Sequence, residues 1–138
     1  MQTSGKSVYL DSSALVKLVV QEAESVQLAQ SLVDRPWRVS CALARVEVVR
    51  AVRPNGPVAV ARAREMLGEM DLLPLDDALL EDAAQLDPLI LRSLDAIHLA
   101  AARSLGSSLG LVLTYDRRMA RAARGMGLPV ESPGQHSQ

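Results

Sequence analysis

A short apolar run, Val8-Tyr9-Leu10, ends in an aspartate, Asp11, and a helical pattern starts directly behind it. That order constrains the fold more than any other stretch. The run suits a short buried strand, and Ser12 or Ser13 suits the cap of a helix reaching Leu18. In an open α/β sheet, ligands bind in the crevice outside the carboxyl ends of the strands. Asp11 stands where such a crevice opens. The pattern recurs later: Gly110-Leu111-Val112-Leu113-Thr114 is the clearest strand in the chain, and it runs through Tyr115 into Asp116 and another helix.

Between these two stretches, strands and helices alternate. Helices are expected over 24–33, 42–52, 58–70, 77–86 and 96–105, and a last one ends near Arg124. Short strands are expected at 38–41, at 72–75 and at 129–131. Pro74 makes the 72–75 segment an edge strand or a strand end. Pro54-Asn55-Gly56-Pro57 is the strongest turn signal. Gly106 closes the 96–105 helix. The alternation predicts an α/β fold, with helices flanking a short parallel sheet. At 138 residues the chain predicts a single domain spanning 1–138, ordered over about 7–131, with 132–138 as a tail.

Hydrophobic residues make up 49% of the chain, which excludes disorder. Aromatics are 2%, with no Phe, so the core must be Leu, Val and Ala, and a stacking platform for single strands is excluded. The net charge of −1 is uninformative, but the charge is segregated. Arginines gather between Arg35 and Arg64 and again at Arg117, Arg118, Arg121 and Arg124. Acids crowd 71–87, which reads as solvated helix surface. Such segregation permits a phosphate-binding face on a nearly neutral protein. The single cysteine, Cys41, excludes an internal disulfide and a thiolate zinc cage. No signal-peptide pattern opens the chain, and no apolar run approaches the ~18 residues a membrane span needs. A cytoplasmic protein, with no membrane association, is the default expectation.

Four acids carry the chemistry. Asp11 and Asp116 each follow a strand, and each also suits a helix cap. Glu47 lies in an almost wholly apolar helix, where a carboxylate is costly unless it is paired or binds metal. Arg50, three residues on, is the local partner that competes with a metal. Asp95 falls in the first turn of its helix, where the macrodipole alone stabilises an acid by ~0.3–1 kcal/mol. If the four converge they repel, and at least one is driven to hold its proton. A hard divalent cation removes that conflict, and Mg²⁺ and Mn²⁺ favour oxygen ligands. Such an ion makes hydroxide from water near neutral pH, and a second one ~3.5–4 Å away steadies a leaving oxygen. This is equipment for phosphodiester hydrolysis, and it needs no His, Cys or Lys nucleophile. His98 reads as a surface or hydrogen-bonded residue and His136 as part of the tail, with neither assigned to metal.

These stretches resemble the PIN-domain ribonucleases, and specifically the VapC toxins of prokaryotic toxin–antitoxin pairs. The resemblance rests on residues 9–18, on Ser40 with Glu47, on Leu91-Arg92-Ser93-Leu94-Asp95-Ala96-Ile97-His98-Leu99-Ala100, and on Leu113-Thr114-Tyr115-Asp116. It spans nearly the whole chain. It implies a three-layer α/β/α sandwich and a Mg²⁺- or Mn²⁺-dependent endoribonuclease. The implied ligands are Asp11, Glu47, Asp95 and Asp116, with Ser12 and Thr114 as accessory polar groups. Glu22 and Arg92 also match, Arg92 either contacting phosphate or pairing with an acid. The implied partners are an RNA substrate, a VapB-like antitoxin and a second copy of the chain in a homodimer.

Two rival classes compete with this reading: another acidic-pocket enzyme or signalling domain on a similar sheet, and a silent binding module. A haloacid-dehalogenase phosphatase needs a second Asp two positions after Asp11, where Ser13 stands. A phosphoacceptor receiver needs paired acids near the first strand and a Lys after a late strand, and neither is present. A catalytically silent module that only binds RNA or protein is the remaining alternative, and metal-dependent cutting separates it from the enzyme.

Overall fold

The structure, a computed structural model, describes residues 6–135. His136 lies outside the described residues. Five parallel strands form one sheet in the order β3-β2-β1-β4-β5. They are β1 (Ser7–Leu10), β2 (Arg38–Cys41), β3 (Asp71–Leu73), β4 (Leu109–Leu113) and β5 (Val130–Glu131). Seven helices connect them: α1 (Ser12–Val19), α2 (Ser25–Ser31), α3 (Ala44–Val52), α4 (Pro57–Gly68), α5 (Asp77–Ala84), α6 (Ser93–Ser104) and α7 (Arg117–Gly125).

Residue alternation along the strands splits the core in two. Val8 and Leu10 of β1, with Leu111 and Leu113 of β4, pack on one face against α1, α2, α3 and α4. Tyr9, Val39, Cys41 and Val112 point to the other face and meet α5, α6 and α7. The result is the expected α/β/α sandwich on a parallel sheet. With no Phe to fill space, close approach does the packing. Ala100, Ala101 and Ala102 of α6 are all buried, so this helix packs closely on the elements around it.

Local signals set the element ends. Pro57 takes the first position of α4 behind Gly56, whose φ of 97° supplies the turn. β3 is an edge strand that ends before Pro74, as the proline requires. α7 buries Met119, Ala120, Ala122 and Ala123 and leaves its four arginines exposed, so it is amphipathic.

Strand order positions the site. From β1 the chain winds outward to β2 and β3, then crosses β1 to place β4 and β5 on its other side. The winding reverses between β1 and β4. Their carboxyl ends therefore flank the crevice where open α/β sheets bind ligands. Asp11 follows β1, and Thr114 and Asp116 follow β4.

Candidate active site

Asp11 is 3% exposed and held at both carboxylate oxygens. Oδ1 accepts the Ala14 backbone N–H at 3.0 Å, which caps α1, and the Ser13 hydroxyl at 2.7 Å. Oδ2 accepts the Thr114 hydroxyl at 2.6 Å. Thr114 is itself oriented, because its Oγ1 accepts the Asp116 backbone N–H at 3.1 Å. Ser13 also accepts the Tyr115 N–H at 2.9 Å, which ties the start of α1 to the loop after β4. Burial pushes the Asp11 carboxyl above the usual range, against the lowering pull of His98 and these hydrogen bonds.

Asp116 caps α7, its Oδ1 accepting the Met119 N–H at 3.0 Å. Capping and a further role are thus not exclusive for either aspartate. Asp95 lies in the first turn of α6, and its Oδ2 is buried with no hydrogen-bond partner. Burial, then the charges of Asp116 and Asp11, raise its pKa. The repulsion expected of converging acids is therefore present at Asp95.

Glu47 does not pair with Arg50. Its Oε1 accepts the Ser12 hydroxyl and lies 2.7 Å from His98 Nε2. Burial alone would raise its pKa, but the His98 and Ser12 hydrogen bonds outweigh it and hold the carboxyl below the usual range. His98 is 2% exposed, so it is an interior residue, and of the two sequence readings the hydrogen-bonded one is correct. Its Nδ1 lies 2.8 Å from the Tyr9 hydroxyl and 3.8 Å from Cys41 Sγ. Burial alone would depress the imidazole. Contacts with Cys41 and Glu47, and the Asp11 charge, raise it to about 10.

The remaining candidates divide. Ser12 and Thr114 both touch the acids. Arg92 is exposed at the start of α6 and forms no ion pair among the described residues, though its charge lowers Asp95. Glu22 pairs with Lys17 at 3.0 Å, as Glu24 does at 2.8 Å, and Lys17 Nζ sits 4.8 Å from the centre of the Tyr115 ring. Glu22 therefore braces the corner between α1 and α2. Ser13, expected as a cap, also binds Asp11, and Tyr9, expected as a strand residue, contacts His98. Ser13 carried no further signal. His98 carried one, since it lies three residues after Asp95 and shares its helix face.

As arranged, no three acid, imidazole or thiol groups among the described residues form a ready-made metal cage. Asp11 and Glu47 are held by hydrogen-bond partners, Glu47 by Ser12 and His98. Asp95 feels the charges of Asp116 and Asp11.

Comparison with known proteins gives the same frame. The family model for the PIN domain matches residues 8–125. The chain belongs to the PIN-domain family. Within it the similarity is to VapC ribonucleases. The chain is 50% identical over 127 residues to Ribonuclease VapC46 of Mycobacterium tuberculosis H37Rv, covering 92% of this chain and 98% of that protein. It is 41% identical over 133 residues to Ribonuclease VapC35 of the same strain, covering 93% and 98%. Among solved structures, Mycobacterium tuberculosis VapC20, described as a sarcin-ricin loop cleaving toxin, superposes with a TM-score of 0.71. It covers 91% of this chain and 99% of its own at 17% identity, and so speaks for the PIN fold alone. The PIN match begins at Val8 in β1 and ends at the close of α7, so it contains all four acids.

Proposed function

We propose that this chain is a divalent-metal-dependent endoribonuclease, the toxin half of a toxin–antitoxin pair. Its near relatives are named VapC ribonucleases, and the acids stand at the switch point of the sheet. The observation that carries the metal is Asp95. A buried carboxylate oxygen without a partner, beside two further acids, is a costly arrangement that a divalent cation resolves. The donor set is all oxygen and hard, which suits Mg²⁺ or Mn²⁺.

Asp11, Asp95 and Asp116 would hold the ion, with Glu47 completing the set. A divalent cation bound there supplies Lewis acidity, activating water and offsetting charge on the phosphate. The chain does the rest. Thr114 and Ser13 keep Asp11 turned toward the crevice and oriented. Glu47, with its depressed pKa, is ionised at neutral pH and orients the attacking water for in-line displacement of the 3′ oxygen. Arg92 on the rim, with the exposed arginines of α7, offers positive charge to flanking phosphates. The antitoxin and a homodimer follow from the family reading. No helix among the described residues is long and apolar enough to cross a membrane, and a cytoplasmic location fits RNA as substrate.

The test is cleavage of a mixed RNA pool by the purified chain with Mg²⁺ or Mn²⁺, then with excess EDTA, alongside Asp11→Asn and Asp95→Asn. Cutting that needs the metal and is lost in both variants is expected. Undiminished cutting by both variants contradicts the mechanism.

A further inference from the structure

Glu47 is placed differently from the other acids. Asp11, Asp95 and Asp116 stand on short side chains near the ends of β1, α6 and β4. Glu47 reaches the crevice from α3 on a longer side chain, and its free rotamers would scatter the carboxylate. The structure removes that freedom. Ser12 and His98 both hold Oε1. His98 is held in turn, because the fully buried Tyr9 hydroxyl lies 2.8 Å from its other ring nitrogen. The two rings also meet edge to face, centroids 5.9 Å apart at 71°. An unbroken line of contacts runs from β1 in the core, through α6, to a carboxylate on α3.

His98 is not free to ligate an ion itself. Nε2 faces Glu47 and Ser12, and Nδ1 faces Tyr9 and Cys41. Its place on α6 has a second consequence. Asp95 lies one turn before it, so one helix both supplies an acid and holds another. We infer that His98 and Tyr9 are positioning residues, which fix the Glu47 carboxylate for metal binding without touching metal or substrate. This rests on the metal reading above. Partners that orient metal ligands typically cost ~10–100-fold in metal affinity or activity when removed.

The experiment is calorimetric titration of the full metal-free chain with Mn²⁺, with thermal melts on the same samples. The variants are His98→Leu, His98→Gln, Tyr9→Phe and Asp95→Asn. His98→Leu is expected to bind Mn²⁺ ~10–100-fold more weakly. His98→Gln keeps an N–H donor for Glu47 and is expected to recover most of that loss. A merely packed histidine would not show this rescue. Tyr9→Phe keeps the ring and loses only the hydroxyl, and weaker binding is expected there too. Wild-type affinity in His98→Leu overturns the inference, as does an equal loss in Leu and Gln. If His98→Leu does not fold, Tyr9→Phe decides: weaker binding supports the inference and unchanged binding overturns it. The two readings fail separately. A wild-type chain that binds no Mn²⁺ removes the metal reading and this inference with it. Binding lost in Asp95→Asn but intact in His98→Leu removes this inference alone.

Discussion

At the scale of single residues, opposite environments act on neighbouring carboxylates. Asp11 and Asp95 are pushed toward holding a proton, and Glu47 toward losing one. A carboxyl whose folded-state pKa is raised contributes most stability below its unfolded value and loses it as pH rises through the folded one. Ionised Asp95 therefore costs stability at neutral pH. Asp95→Asn is expected to raise the melting temperature of the metal-free chain at pH 7, and the gain should vanish on acidification. A lower melting temperature for the variant at pH 7 would refute this. Thr114→Val acts in the other direction. It removes the hydroxyl that Asp11 Oδ2 accepts, and a buried group left without its partner costs ~1–3 kcal/mol. Chemical denaturation measures that loss directly. Much of this was legible in the sequence. A strand followed closely by Asp announces a helix cap, and Asp11 and Asp116 both cap. The partner of Glu47 was not legible. Sequence spacing shows only neighbours on the same helix, hence Arg50, whereas His98 arrives from 51 residues away through the packing of α6 on the sheet.

At the scale of elements, α6 is the one on which the site depends most. It brings Asp95 beside Asp116 and His98 to Glu47, and its buried alanines let it pack closely on its neighbours. Overfilling a packed contact typically costs ~1–3 kcal/mol. Ala101→Leu is expected to destabilise the fold by about that much and to weaken metal binding with it, as melts and Mn²⁺ titration would report. A folded variant with unchanged affinity would show that α6 tolerates displacement. The helices and strands themselves were readable from apolar periodicity and from Gly and Pro. Their faces were not, because Val8, Tyr9 and Leu10 are all apolar and only the fold sends them to two cores. Strand order was not, since nothing local in Leu109–Leu113 says that it lies beside β1. That pairing is a tertiary fact, and it is what unites Asp11 with Thr114. The segment after β5, read as a tail, hydrogen-bonds in part to this loop. Ser132 donates to the Thr114 carbonyl, and the Tyr115 hydroxyl donates to that of Pro133 at 2.7 Å.

At the scale of the molecule, the fold brings Asp95 within reach of the charges of Asp11 and Asp116, a repulsion that the proposed cation would relieve. A ligand that binds only the folded state stabilises it by ~2.7 kcal/mol at a hundredfold excess over its dissociation constant. Mg²⁺ or Mn²⁺ should therefore raise the melting temperature, and EDTA should reverse it. Because Asp11 and Asp95 have raised pKa values, metal affinity should fall as pH is lowered and these carboxyls take up protons. If Asp11, Asp95, Asp116 and Glu47 share one ion, its position in a crystal will show it. Anomalous X-ray scattering from crystals soaked in Mn²⁺ is the measurement. A strong peak is expected in the crevice between the ends of β1 and β4, within coordination distance of Asp11, Asp95 and Asp116 and beside Glu47. Manganese bound elsewhere, with that crevice empty, would contradict it.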